Sequence, residues 1–210
     1  SGALLCLDVN EAIIDEAIRK GCNLIVSHHP LLFRGLKQIS GNDFVQRCVI
    51  KAIKNDICVI SMHTNMDNAL GGVNFKMAEK MGAVVHDNDN ENGEKCPMVV
   101  AELPEPMGAK DFVLMLKEQF GVACVMCNEL LERPIRKVAI CGGAGDFMLP
   151  DAVAAGADAF VTGEMHYHVY FDHEQQIQIC VIGHYQSEQY TSEIARSEER
   201  FSRNAETDIV

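Results

Sequence analysis

The sequence contains no tryptophan and no apolar run that could cross a membrane. A spanning helix needs roughly 18 or more consecutive apolar residues. The N-terminal run ALLCL is far shorter, and it lacks the basic flank of a signal peptide. Of the 210 residues, 48% are hydrophobic, which is typical of a soluble protein with a packed core. We therefore expect a cytoplasmic protein of one large or two small domains.

Positive charge is also scarce, because 18 lysine and arginine residues stand against 30 aspartate and glutamate residues. The formal net charge of −12 repels the phosphates of nucleic acids and anionic membrane surfaces. We therefore expect no membrane binding and no direct binding of nucleic acid. A phosphorylated ligand would need a local source of positive charge on this protein.

The cysteines lack the spacing of a disulfide framework. Nine of them, an odd number, are scattered through the chain. This pattern is typical of free thiols in a reducing compartment, where cysteine acts as a small apolar residue. The one C-x-x-C pair, Cys124 and Cys127, has no second pair beside it, so we assign it no metal or redox role.

Short β-branched runs alternate with helical patterns along the chain. Strands are predicted at residues 3–9, 22–27, 56–62, 136–145, 157–163 and 176–183, and helices at 10–20, 44–55, 109–120, 150–155 and 187–201. This alternation predicts an α/β fold with mostly parallel sheets. The polar segment HDNDNENGEK, residues 86–95, is the predicted linker between α/β lobes of residues 1–92 and 93–210.

Two pairs of segments repeat one plan in the two lobes. AIRKGCNLIVSHH (17–29) is similar to AVAAGADAFVTGE (152–164), and ICVISMHTNMD (57–67) is similar to ICVIGHYQSE (179–188). Part of this likeness follows from the general needs of α/β units, which use glycine to end helices and β-branched residues to fill strands. We interpret the rest as an internal duplication. The last strand and helix of the second lobe would then return ligands to a site shared between the lobes.

Two adjacent histidines, His28 and His29, end a predicted strand and precede a proline. Neighbouring residues of an extended strand point to opposite faces, but at a strand end the chain turns and both rings can surround one centre. Such a pair suits a site with two metal ions, one for each imidazole. Imidazole and carboxylate ligands without thiolate favour Zn, Mn, Fe, Co or Ni in a catalytic setting.

A lone histidine at a strand end is more often an ordinary polar residue than a metal ligand. Here four histidines and two acids follow predicted strands, at the strand ends where α/β proteins build their sites. These residues are His28, His29, His63, His184, Asp67 and Glu188. Together they predict a dinuclear metal site at the C-terminal ends of the strands. Asp8, which ends the first strand, is a candidate for a supporting contact.

Four segments carry a family resemblance: LLCLDVNEAIIDEAIRKGCNLIVSHHPLLFRGLK, SMHTNMDNALGGVN, GADAFVTGEMHYH and IGHYQSEQY. In this order they resemble the NIF-three-like dinuclear-metal-centre family, whose members are also known as GTP cyclohydrolase I type 2 homologues. The segments span about residues 3 to 190. Members of the family usually have further residues before the first strand and after the last helix. The resemblance therefore implies that this sequence belongs to a longer protein.

The resemblance also implies roles for residues at matching positions. Metal ligands are implied at His28, His29, Asp67, His184 and Glu188. His63 is implied to lie close to the metals, as a ligand or a supporting residue. Glu164, His166 and His168 are implied to line the same cleft. Two divalent ions per chain and a toroidal homo-hexamer with interior-facing metal sites are further expectations of the resemblance.

Two functions are compatible with these residues. In the first, the ions activate water and polarise a carbon or phosphorus centre, and Glu164, His63 or His166 moves protons. The protein would then hydrolyse a nucleotide or another phosphorylated small molecule, and the resemblance makes opening of the GTP ring the specific case. In the second, the chain is a non-catalytic metal-binding or regulatory module. Exchangeable ligand positions favour catalysis, because protein ligands close a structural metal site.

Overall fold

The computed structural model describes residues 2–85 and 97–196. The chain divides into two compact units. The first unit combines Ser1–Met66 with Thr191–Val210, and the second is Asp67–Tyr190. The predicted linker at residues 86–95 lies outside the described residues, and so does the predicted boundary between residues 92 and 93.

The first unit contains a three-stranded parallel sheet in the order β1-β2-β3. Its elements are β1 (Ala3–Cys6), α1 (Glu11–Lys20), β2 (Leu24–Ser27), α2 (Phe44–Lys54), β3 (Cys58–Ser61) and α3 (His63–Asp67). The last residue of α3 already belongs to the second unit. Because the three strands are parallel, their C-terminal ends lie along one edge of the sheet, which is the edge that the histidines follow.

Helix α1 begins and ends where its capping residues require. The Asn10 side chain accepts a hydrogen bond from the Ile13 N–H at 3.0 Å, and Gly21 ends the helix with a φ of 66°. The buried face of the helix, Ile14 and Ala17, packs in one apolar cluster with Ile25 of β2. Complete burial of a side chain such as Ile14 is worth about 1.5–3 kcal/mol.

The second unit contains a six-stranded mixed sheet in the order β4-β5-β7-β8-β9-β6. Its strands are β4 (Val84–Val85), β5 (Val99–Met107), β6 (Met126–Cys127), β7 (Ile135–Cys141), β8 (Ala159–Thr162) and β9 (Gln178–Val181). Its helices are α4 (Val73–Lys80), α5 (Ala109–Phe120), α6 (Leu149–Ala154) and α7 (His184–Glu188). The predicted α/β class is confirmed.

The strand pairs are mostly parallel, as predicted, and the antiparallel pairs all lie in the second sheet. Strands β7, β8 and β9 are parallel, but β4, β5 and β6 pair antiparallel with their neighbours. Antiparallel pairing needs no crossover helix, so very short strands such as β4 and β6 can join a sheet edge. The pairing of Val84 with Glu102 also places β4 in the second unit, whereas the sequence assigned it to the first lobe.

The predicted final helix at 187–201 is wrong at its start. Helix α7 begins earlier, at His184, and ends at Glu188, and residues 191–196 then form a separate helical segment. Gly183, with a φ of 103°, allows the sharp turn from β9 into α7. The segment 191–196 belongs to the first unit, where Thr191 lines a small pocket with Leu5 and Val26.

In the described ranges, every helix is too short or too polar to cross a membrane.

Candidate metal centre

Three imidazole rings lie together in the first unit. The ring centroids of His28 and His29 are 4.8 Å apart, and that of His63 is 5.8 Å from His28 and 5.9 Å from His29. We call these three residues the histidine cluster. His28 is only 2% exposed. A cluster of ring nitrogens at the end of a parallel sheet is a suitable environment for a metal ion.

The backbone of the three strand ends positions this cluster. The N–H of His28 donates to the Cys6 carbonyl at 3.1 Å, and the N–H of His29 donates to the Leu7 carbonyl at 2.9 Å. The N–H of His63 donates to the His28 carbonyl at 2.8 Å. The pairing of the strands thus continues beyond their regular ends and fixes each histidine by its own main chain.

His63 takes a backbone conformation that side chains rarely adopt, with a φ of 35°. It stands where β3 turns into α3, and the turn aims its ring back towards the other two histidines. Backbone strain of this kind costs of order 1–3 kcal/mol and is concentrated at functional sites. We take the strained turn as an indication that the position of this ring matters.

Asp8 orients the ring of His29. The Nδ1 atom of His29 lies 2.9 Å from the Asp8 carboxylate. A carboxylate only accepts hydrogen bonds, so in neutral His29 the proton is on Nδ1 and the lone pair is on Nε2. A carboxylate behind an imidazole is the usual arrangement for metal-binding histidines, because it fixes the tautomer and raises the basicity of the ligand. The supporting role suggested by sequence for Asp8 therefore has a physical basis.

A second group of side chains lies in the second unit. Nε2 of His184 is 3.2 Å from Glu188, one helical turn later in α7, and its Nδ1 is 2.9 Å from Glu164. We call these three residues the acid–histidine cluster. The hydrogen bond to Glu188, opposed by partial burial and aided by Glu164, raises the pKa of His184 to about 9. A metal ion and a proton would therefore compete for the same ring nitrogen.

Two glycines make room for this cluster. A Cβ atom at Gly143 would overlap the Glu188 carboxylate and would lie 3.5 Å from Nε2 of His184. A Cβ atom at Gly163 would come within 2.9 Å of the His184 backbone. The glycine-rich segment after β7 therefore serves close packing around Glu188, as the absence of a phosphate-loop spacing in its sequence suggests.

Asp67 and Glu188 act electrostatically on one buried thiol, Cys141 at the end of β7. Burial, together with the charges of Asp67, Glu188 and Asp146, raises the pKa of Cys141 to about 12. The Asp67 carbonyl accepts a hydrogen bond from the Asn74 side chain at 3.2 Å, which helps to fix the end of α3. The predicted ligands Asp67 and Glu188 thus face the same part of the second unit.

The remaining predicted site residues are more exposed. The imidazole of His166 is 86% exposed and pairs with Asp146, whose hydrogen bond raises the pKa of His166 above its usual value. His168 makes ring contacts with Tyr167 and Phe171 instead, at 5.1 and 6.1 Å between centroids. An acid–imidazole pair can carry protons, whereas the contacts of His168 are those of an exposed aromatic cluster.

Sequence reasoning missed Asp146 and Gly143. The partner of His166 is 20 residues away along the chain, and no spacing rule connects the two. A weak signal was present, because Asp146 follows a predicted strand, as the other candidate acids do. The role of Gly143 depends on the side chain of Glu188, which only the fold brings near.

The sequence and the architecture of this chain resemble those of known proteins. The family model of Duf34/NIF3, NGG1p interacting factor 3, matches residues 1–209. The chain belongs to this family. A Clostridium perfringens protein named GTP cyclohydrolase 1 type 2 homolog is 36% identical to it over 189 residues, which are 88% of this chain and 72% of the relative. The resemblance inferred from the four segments is confirmed.

Solved structures share the fold of this Duf34/NIF3 chain. A hypothetical protein of Staphylococcus aureus superposes with a TM-score of 0.86 at 28% identity, covering 100% of this chain and 82% of that one. A Bacillus cereus protein related to NIF3 has a TM-score of 0.84 at 23% identity, covering 98% of this chain and 84% of that one. The second likeness concerns the fold alone.

Proposed function

We propose that this protein binds two divalent metal ions and uses them to hydrolyse a nucleotide or another phosphorylated small molecule. The proposed ligands are His28, His29, Asp67, His184 and Glu188. The observation that carries the proposal is the histidine cluster, three imidazoles of which one is oriented from behind by a carboxylate. The family model and the relatives named as GTP cyclohydrolase homologues support it.

The donor atoms of both clusters fit divalent ions of the first transition row. Imidazole nitrogens and carboxylate oxygens suit Zn, Mn, Fe, Co or Ni, and the proposed set contains no thiolate. The Nε2 lone pair of His29 is the donor that its bond to Asp8 defines. At Glu188, Gly143 leaves space beside the carboxylate that a side chain would fill.

The ions would supply Lewis acidity and would lower the pKa of water at the site. The chain itself would move protons and orient the ligands. Glu164, hydrogen-bonded to His184, and His166, paired with Asp146, are the proposed proton carriers. His63 completes the histidine cluster as a ligand or as a neighbour of the other two rings.

The substrate class follows from charge and from the relatives. A protein with a net charge of −12 repels phosphate, so a pair of dications would provide the local attraction that a phosphorylated substrate needs. The names of the relatives make GTP the first compound to test, with ring opening as the specific reaction.

The alternative is a non-catalytic metal-binding or regulatory module. The family description, NGG1p interacting factor, names an interaction rather than a reaction and is the observation in favour of this alternative. In that case the ions would stabilise the fold or serve a partner. Metal bound at full stoichiometry, with no turnover of any compound in the screen below, would favour this second function.

The ligand assignment is tested by elemental analysis of protein purified without chelator. We expect about two ions per chain in the wild type and a loss of metal in His28→Ala and Glu188→Ala, with the fold retained by circular dichroism. His173→Ala and Glu174→Ala, from a turn outside both clusters, are matched controls and should keep full metal content. Unchanged stoichiometry in both site variants would refute the assignment.

Catalysis is tested separately by a hydrolysis screen over nucleotides and phosphorylated metabolites. Turnover should disappear when the metal is removed and return when it is restored.

We also propose, from the family resemblance, that the protein assembles into a toroidal homo-hexamer. A cytoplasmic location is proposed as well, because the eight described cysteines are all free thiols.

A further inference from the structure

The segment that follows the histidine pair exposes a phenylalanine. Phe33 is 75% exposed, whereas Leu31 two residues earlier packs against the apolar cluster of the first unit. Leu36, three residues later, is also partly buried. The segment therefore buries some of its apolar side chains and presents one aromatic ring to solvent.

The exposed ring stands next to the histidine cluster. Its centroid is 6.2 Å from that of His63, with an interplanar angle of 85°. His63 in turn lies within 6 Å of both His28 and His29. A ligand held at the histidines could therefore also touch the free face of Phe33.

The segment is fixed at its far end. The Gln46 side-chain oxygen accepts hydrogen bonds from the N–H groups of Ser40 and Gly41, at 2.8 and 3.0 Å, and from the Ser40 hydroxyl at 2.9 Å. The Gln46 amide donates to Asp43 at 2.7 Å. With Leu31 packed at one end and Gln46 at the other, the ring of Phe33 is presented from a segment anchored on both sides.

The same segment is a local exception to the acidic character of the protein. Between residues 21 and 46 the charged side chains are Arg34, Lys37 and Asp43. Asp43 caps α2 through the N–H of Gln46 at 2.8 Å. Arg34 and Lys37 are exposed, and neither forms a salt bridge with any residue that the structure describes. Two cations directly after an aromatic ring remain available to an anionic ligand.

We propose that Phe33, Arg34 and Lys37 form a substrate subsite for a planar heteroaromatic ring that carries phosphate groups. The ring of the substrate stacks on Phe33, and its phosphates contact the guanidinium and ammonium groups. Phe33 is then a specificity-determining residue, because it distinguishes a phosphate with a ring from one without. This inference rests on the proposed function and names the residues that would select its substrate.

The test compares two probes that differ only in the ring-bearing part. GTP and methyl triphosphate are each titrated by isothermal calorimetry at 4 °C into the metal-loaded wild type. The same titrations are made with the variants Phe33→Leu and Phe44→Leu. Phe44 is 54% exposed at the start of α2, and its variant is the matched control. We expect Phe33→Leu to weaken GTP binding about tenfold, the scale of aromatic stacking on a base, and to leave methyl triphosphate unchanged. Phe44→Leu should bind both probes like the wild type.

The cations are tested with Arg34→Gln and Lys37→Gln. Each variant should weaken both probes by a similar factor, and binding should depend less on salt than in the wild type. The ratio of the two affinities should stay at the wild-type value, since Phe33 is intact. A variant that retains wild-type affinity for both probes would remove that cation from the subsite.

Three results would overturn the subsite. The first is equal affinity of the wild type for GTP and methyl triphosphate. The second is that neither probe binds to the wild type. The third is that Phe33→Leu weakens the binding of both probes equally. If sedimentation shows that this last variant also changes oligomeric state, Phe33 belongs to an interface between copies. The proposed function has its own criteria, because it fails when the protein holds no metal or hydrolyses no compound in the screen. If Phe33→Leu loses its preference for GTP over methyl triphosphate but keeps its metal, the result supports the subsite and does not test the proposed function.

Discussion

Single contacts decide the chemistry of the proposed ligands, and Asp8 is the simplest example. Its carboxylate lies 2.9 Å from Nδ1 of His29 and would hold the proton there, so Nε2 is the proposed ligand atom. His29 itself is fixed through its main chain by Leu7, so Asp8 selects the tautomer of the ring rather than only its position. We therefore expect Asp8 to influence the affinity of the proposed metal site without being a ligand itself.

Replacement of Asp8 should weaken metal binding without loss of the fold. We expect a 10- to 100-fold loss of affinity in Asp8→Ala and a smaller loss in Asp8→Asn, whose amide oxygen still accepts the Nδ1 proton. Competition with a chromophoric chelator measures both. Asp15→Ala is the control and should bind metal like the wild type. It removes an aspartate of α1 that pairs with Lys51 of α2. Wild-type affinity in Asp8→Ala would show that the contact with Asp8 does not influence metal binding by His29.

Gly143 should be more sensitive to substitution than other glycines with the same backbone. Gly143 and Gly156 have φ values of 62° and 67°, so alanine costs about 1–2 kcal/mol of left-handed strain at either position. A Cβ atom at Gly156 meets nothing within 4 Å, whereas at Gly143 it overlaps Glu188. We expect Gly143→Ala to lose more stability in urea unfolding and also to lose metal. Equal losses of stability in Gly143→Ala and Gly156→Ala would contradict the role of Gly143 in making room for the Glu188 carboxylate.

At the level of elements, both units use the same strand-to-helix connection. Strand β3 leads into α3 and strand β9 into α7, and each five-residue helix begins with histidine and ends with an acid. Residues four apart lie on one face of a regular helix, and in α7 this brings Nε2 of His184 to 3.2 Å from the Glu188 carboxylate. A residue with positive φ makes each turn, His63 itself in one unit and Gly183 in the other. The likeness between these two sequence segments thus extends to the succession of a strand, a turn with one positive φ and a short helix.

The sequence predicted best those helices and strands whose ends are marked by residues with a strong backbone preference. The predicted helix at 109–120 agrees with α5 at both ends, and its C-terminal end follows from Gly121, which takes the left-handed conformation that ends a helix. The edge strands β4 and β6 could not be predicted, since two residues carry no periodicity. The pairs of Asp8 with His29 and of Asp146 with His166 depend on chain segments about 20 residues apart, and only tertiary structure brings them together.

Asp158 stabilises the start of β7, and its contribution should depend on pH. Burial opposes its ionisation, but the N–H groups of Lys137 and Arg136 and the Arg133 guanidinium outweigh burial and lower its pKa. A carboxyl whose folded pKa lies below its unfolded value, about 3.9, stabilises the protein above that value and loses the contribution as pH falls through the folded pKa.

We therefore expect Asp158→Asn to reduce the free energy of unfolding by about 1–2 kcal/mol at pH 7. The difference from wild type should shrink as the pH falls below about 4. Urea unfolding of metal-free protein at both pH values measures it. Asp172→Asn removes the same charge at an exposed residue with a φ of 63°, which asparagine tolerates, and should change little. A difference for Asp158→Asn that persists at low pH would exclude the charge as its cause.

At the scale of the whole molecule, metal binding should be coupled to folding. An ion that binds only the folded protein stabilises it by about 2.7 kcal/mol at a hundredfold excess over its dissociation constant. We expect the melting temperature to rise when zinc or manganese is added to metal-free wild type and to fall again with chelator. Glu188→Ala should show a much smaller rise, and Glu174→Ala the full rise. An equal rise in Glu188→Ala would show that the ions bind elsewhere.

The first unit is discontinuous in sequence, and this has a consequence for synthesis. Its β1 and β2 are made early, but the pocket beside Leu5 and Val26 is also lined by Thr191 and Ser192, which lie 125 and 126 residues after Met66 in the sequence. The pocket beside Leu5 and Val26 is therefore incomplete in the nascent first unit until Asp67–Tyr190 has been translated. We therefore expect chains truncated within the second unit to expose apolar side chains beside Leu5 and Val26, because the residues that line this pocket from Thr191 onwards are then missing.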